Sequence, residues 1–80
     1  MPFMAENYLA TPVSGTTLYL KYHPGKKILE IGFRTREVYQ YLKFPLQAWE
    51  LYYKTVQDGN SSGKFFNEHI KEKYKFKKIT

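Results

Sequence analysis

Eighty residues with a net charge of +6, no cysteine and 19% aromatic side chains make a small basic chain with room for one thin core, since a chain of this size buries only about 60–65% of its unfolded surface. The lack of cysteine excludes a disulfide scaffold and thiolate chemistry. Two histidines, His23 and His69, are too few for a histidine-rich metal site, and no apolar run is long enough to cross a bilayer.

Met1-Pro2-Phe3-Met4 has neither the charged start nor the apolar stretch of a signal peptide, so the expected location is cytoplasmic. Residues 1–12 contain two prolines and no sustained period and read as an arm; 13–80 read as a single domain. From Thr16 to His23, Leu18, Leu20 and Tyr22 alternate with Thr17, Tyr19 and Lys21, the period of a half-buried strand. Pro24-Gly25-Lys26 supplies a turn. Residues 27–34 alternate again, with Leu29, Ile31 and Phe33 as the core face. Thr35-Arg36-Glu37 turns the chain without a glycine, and Val38 to Phe44 is a third strand-like run.

Pro45 ends that run and suits the first position of a helix. Leu46, Trp49, Tyr53 and Val56 then fall at helical spacing to about Gln57, and Asp58-Gly59-Asn60 closes the helix. Ser61 or Ser62 can cap a second helix with Phe66 and Ile70, together with Phe65 and His69, on its inner side. The fold class expected is α+β: a three-stranded antiparallel meander, two helices and a basic extended tail, in the order β-β-β-α-α. The tail is where the charge gathers. Residues 71–80 carry five lysines against one glutamate, whereas residues 1–70 carry eight cations against six acids.

These features resemble the KTSC domain, a module found at the C-terminus of some lysyl-tRNA synthetases and as stand-alone bacterial and phage proteins. The resemblance rests on Val13-Ser14, Tyr22, Leu29 to Phe33, Tyr39-Gln40-Tyr41, Pro45, Ser62-Gly63-Lys64-Phe65-Phe66-Asn67, Ile70, Tyr74 and the basic-aromatic ending, over roughly residues 13–79. It implies no established activity; RNA binding is implied by the attachment to synthetases. The chain departs from the family at Thr35-Arg36-Glu37, where a glycine is usual, and residues 57–61 are slightly longer.

Four groups of residues could carry binding. Tyr39 and Tyr41 would share a strand face with Lys43, giving a stacking platform if that face is open and core rings if it is not. Ser62, Gly63 and Lys64 open a helix whose free N–H groups can meet a phosphate, or else form an ordinary cap with close packing at the glycine. Asn67 lies one turn further along and could bond a ligand or a loop. The tail from Tyr74 to Ile79 alternates again, as a short strand or an extended strap would, and Tyr74 and Phe76 would anchor it while Lys75 and Lys77 project.

No Walker pattern is present, and the seven acids are scattered without metal-ligand spacing. The expectation is therefore a non-catalytic module with no cofactor or metal. Its partner would be RNA or another single-stranded nucleic acid; the alternative is a phage-type module docking on an acidic protein surface. Oligomeric state stays open.

Overall fold

The computed structural model describes residues 5–80. Five strands and two helices follow one another as β1 (Tyr8–Ala10), β2 (Thr17–His23), β3 (Ile28–Phe33), β4 (Val38–Tyr41), α1 (Leu46–Gln57), α2 (Ser62–His69) and β5 (Phe76–Lys78). The strands form one sheet in the order β1-β2-β3-β4-β5, and every neighbouring pair is antiparallel.

The α+β class and the central meander agree with the sequence reading, but the sheet has five strands where three were expected. The two additions lie at its edges. Tyr8–Ala10, inside the stretch read as an arm, pairs with Tyr19–Lys21. The Tyr22 amide donates to the Asn7 carbonyl at 2.8 Å, and the Trp49 indole N–H donates to that of Glu6 at 3.0 Å. These bonds tie the segment to both sheet and helix; residues 1–4 of the expected arm lie outside the described residues. In the tail, Phe76–Lys78 pairs with Tyr39–Tyr41. The first is too short for its period to stand out from an arm, and the alternation of the tail suited a strand as well as a strap.

Both helices cover the same face. Trp49 of α1 stacks on Tyr22 of β2 at 5.5 Å between ring centroids, and Phe66 of α2 meets Phe33 and Tyr41 edge-on. Leu20, Leu29, Ile31, Phe44, Tyr52 and Ile70 complete a core rich in tyrosine. A buried phenol needs a partner: Tyr22 donates to the Phe44 carbonyl at 2.6 Å, and Tyr52 bonds the Ser62 hydroxyl at 2.9 Å. Burial pushes the ionisation of both phenols above the ordinary tyrosine range.

Three local details depart from the sequence reading. A register shift between Thr17 and Tyr19 turns Leu18 out to solvent and Thr17 inward, so the strand's apolar alternation breaks at a bulge. His69, expected at the core edge, is exposed and rests against the Phe65 ring at 4.6 Å. Pro45 stands one position earlier than expected, as the N-cap of α1 in extended backbone. Among the described residues no helix is long and apolar enough to cross a membrane.

Candidate functional site

The helices leave two surfaces of the sheet open. The first is the whole face opposite them. Strand register sets a row across it, because directly opposed residues share a side. Tyr8 faces Lys21, Lys21 faces Glu30, Glu30 faces Gln40 and Gln40 faces Lys77. One step along lie Ala10, Tyr19, Gly32 and Val38. The Tyr19 ring lies over Gly32, where a Cβ would stand 2.1 Å from Cε1 of Tyr19. Tyr8 joins it with ring centroids 5.8 Å apart and planes inclined by only 19°. The result is a two-ring platform beside exposed Lys21.

Glu30 organises this face. Its carboxylate accepts from the Tyr19 hydroxyl at 2.7 Å and the Gln40 amide at 3.2 Å, and pairs with His23 Nε2 at 3.2 Å. Burial acts to raise its ionisation, but these hydrogen bonds outweigh burial and hold the carboxyl below its ordinary value. The Tyr19 phenol is pushed up to about 12, by burial first and then by the bond to Glu30. The bond to Glu30 holds the ring over Gly32.

The second surface is a basin on the helix side, over β4 and β5, where α2 stops short. Five rings close a circle around it. Phe33 meets Tyr39 at 5.6 Å, Tyr39 meets Phe76 at 5.4 Å, Phe76 meets Tyr41 at 5.5 Å, Tyr41 meets Phe66 at 5.5 Å, and Phe66 returns to Phe33 at 5.4 Å. The basin encloses about 560 Å³, and Arg34, Lys71, Glu37 and Glu72 stand at its rim. Glu37 is occupied by Lys78 at 2.8 Å, which holds that carboxyl below its ordinary value.

The residues singled out from the sequence are not brought together. Tyr39 and Tyr41 share the helix side of β4: Tyr41 is buried, and Tyr39 is half-buried in the basin wall. They are core and basin rings, and burial pushes the Tyr41 phenol up to about 12. Lys43 does not join them, because β4 ends at Tyr41 and Lys43 sits beyond it in left-handed backbone at φ +54°.

Ser61 caps α2 by accepting from the Lys64 amide at 3.2 Å, leaving Ser62 and Gly63 as its first, buried turn. The Ser62 hydroxyl accepts from Thr17 at 3.1 Å and bonds Tyr52, and Gly63 packs so closely on Thr16 that a Cβ would meet its Oγ1 at 2.5 Å. The phosphate-cradle reading of Ser62 and Gly63 is corrected to an internal packing role. Lys64 and Asn67 are exposed on α2, away from both surfaces. Lys75 and Lys77 are exposed; Lys77 ends the row on the open face, while its neighbour Phe76 points into the basin.

The platform residues were missed for identifiable reasons. Tyr19 and Lys21 read as the solvent side of a strand, Tyr8 fell in a stretch with no visible period, and Gly32 was one small member of an alternating run. A hint lay in Tyr19 itself, a large ring on the polar side of its strand.

A family model described as KTSC domain matches residues 14–74. Among solved structures, a crystal structure of a KTSC domain protein from Yersinia pestis is 35% identical, with a TM-score of 0.71, covering 91% of this chain and 99% of that one. No curated protein matches.

Proposed function

The chain belongs to the KTSC domain family, and from that premise we propose that it is a non-catalytic module that binds single-stranded nucleic acid, RNA in particular, across the open face of its sheet. The observation that carries this reading is the Tyr8–Tyr19 platform on a face no helix covers, with Lys21 beside it and Lys77 at the far end of the same row. Unstacked bases gain about 1–3 kcal/mol each on such rings, and the stacking tolerates any sequence. Four strand intervals of about 4.8 Å separate Tyr8 from Lys77, so the row offers roughly 19 Å of track for a backbone whose phosphates meet the lysines. Glu30, the acid on this track, is already satisfied by three neighbours and presents little free carboxylate.

RNA is favoured over DNA by the family's occurrence on lysyl-tRNA synthetases, not by a group on the platform. A fluorescence anisotropy titration with labelled single-stranded RNA at low salt, beside a duplex of the same sequence, tests the proposal. Single-strand binding that weakens several-fold in Tyr8→Ala and in Lys21→Ala is expected. No binding at low salt, or a protein partner retained from lysate after nuclease treatment while RNA fails to bind, would overturn it.

A further inference from the structure

We infer that the five-ring basin on the helix side is a pocket for one unstacked nucleobase with its phosphate, reached by a strand that rounds the β5 edge; this rests on the nucleic-acid reading of the open face. Adjacent residues of one short strand connect the two surfaces. Lys77 ends the lysine row on the open face, and Phe76 walls the basin on the other. β5 is an edge strand of the sheet, so a backbone leaving Lys77 passes its edge without crossing another strand.

The chemistry of the basin selects the occupant. Phe33, Tyr39, Tyr41, Phe66 and Phe76 offer mixed faces and edges, with neighbouring planes inclined between 40° and 89°. A flat aromatic group can stack against one ring and meet the edges of others. The basin's 560 Å³ falls within the range of small-ligand pockets, roughly 300–1,000 Å³.

Charge decides between an anion and a cation. Arg34 donates to the carbonyls of Ser14 and Pro12, which hold the guanidinium without neutralising it. Among the described residues Lys71 has no carboxylate partner, whereas Glu37 is taken by Lys78. Two unneutralised cations against Glu72 favour a base carrying a phosphate and oppose a cationic guest, although aromatic cages otherwise hold cations well.

The test uses the whole chain and adenosine and uridine monophosphates, with inorganic phosphate as the control, read by NMR shifts of ring protons. Shifts at Tyr39 and Phe76 with the nucleotides and none with phosphate are expected, as is a loss of nucleotide affinity of tenfold or more in Phe76→Ala. Phe76 is half-exposed, so this variant should remain folded; Lys71→Glu, at an exposed position, provides a second variant and should weaken binding without touching a ring. Nucleotide shifts that miss the basin, or affinity unchanged in both variants, would overturn the inference even if Tyr8→Ala still abolishes RNA binding. Nucleotide binding in the basin without RNA binding would sustain the pocket and sink the open-face track instead.

Discussion

Tyr19 lies over Gly32 on the neighbouring strand, so close that any larger residue at position 32 must move the ring. That contact sets the height of the platform on the open face and lets the Tyr19 hydroxyl reach Glu30 at 2.7 Å. A glycine in mid-strand ordinarily weakens a sheet by about 0.5–1 kcal/mol, so its place here is explained by what rests on it.

Gly32→Ala should therefore lift Tyr19 and break its bond to Glu30. The displaced atoms belong to a partly exposed side chain, so a modest stability loss of about 1 kcal/mol is expected. Single-strand affinity should fall by more than that loss explains. Thermal melting paired with an RNA titration measures both, and an unchanged affinity would remove Tyr19 from the binding surface.

Salt dependence reports the number of phosphates met. If Lys21, Lys75 and Lys77 each meet one, log K against log salt should fall with a slope of about −2, and each Lys→Ala change should reduce it by roughly 0.7. Lys64→Ala should leave the slope unchanged, since Lys64 is exposed on α2 away from the row. An equal effect from Lys64 would return α2 to the contact surface.

Thr11, Thr17, Ser62 and Tyr52 form a continuous buried hydroxyl chain, with links of 2.7, 3.1 and 2.9 Å. Ser62→Ala would remove one bond from each of Thr17 and Tyr52, which keep the Thr11 hydroxyl and the Ser62 carbonyl as partners, and should cost about 0.5–1.5 kcal/mol. At about 4–8 °C per kcal/mol for a domain this small, melting reads this clearly. Nucleic-acid affinity of the folded variant should be unchanged, which separates an internal Ser62 from one that touches a ligand.

Much of the fold was legible because the core strands and helices carry strong periods. Leu29 and Ile31 lie buried where alternation put them, and Trp49 and Tyr53 fill the helix face their spacing marks. The candidate site was less legible. Whether Tyr39 and Tyr41 face helix or solvent depends on which side α1 and α2 cover, a tertiary choice that a strand with two tyrosines on one side and Val38 and Leu42 on the other does not encode. Tyr8 gains meaning only from its register against Lys21, a pairing across a turn-rich loop. Lys43 was misplaced because a single left-handed residue ends a strand with no glycine to announce it.

Acid and alkali should unfold the domain through different residues. The Glu30 carboxyl is held below its ordinary value of 4.5, so its contribution is present above that pH and is lost as pH falls through the lower folded value. Glu30→Gln should flatten stability below about pH 4.5 relative to the native chain. The phenols of Tyr19 and Tyr41 are raised from 10.0 to about 12, so their contribution is full below pH 10 and disappears as pH rises through 12. An ultraviolet titration should show Tyr19, Tyr22, Tyr41 and Tyr52 ionising late; ordinary ionisation of Tyr19 would mean that neither its burial nor its bond to Glu30 persists in solution.

The turn before β4 contains the clearest opportunity for stabilisation. Arg36 adopts φ +73°, a left-handed conformation that disfavours any residue with a Cβ, and its amide donates to the Phe33 carbonyl at 2.9 Å. The position is exposed and lies in a turn that contains no glycine. Arg36→Gly relieves about 1–2 kcal/mol of backbone strain, offset by about 0.5–1 kcal/mol of extra freedom in the unfolded chain. A net gain of up to about 1 kcal/mol is expected, with a melting temperature higher by a few degrees. Chemical denaturation with an unchanged slope would confirm that the gain lies in the folded turn. Arg36→Ala, which keeps the Cβ, should show no such gain.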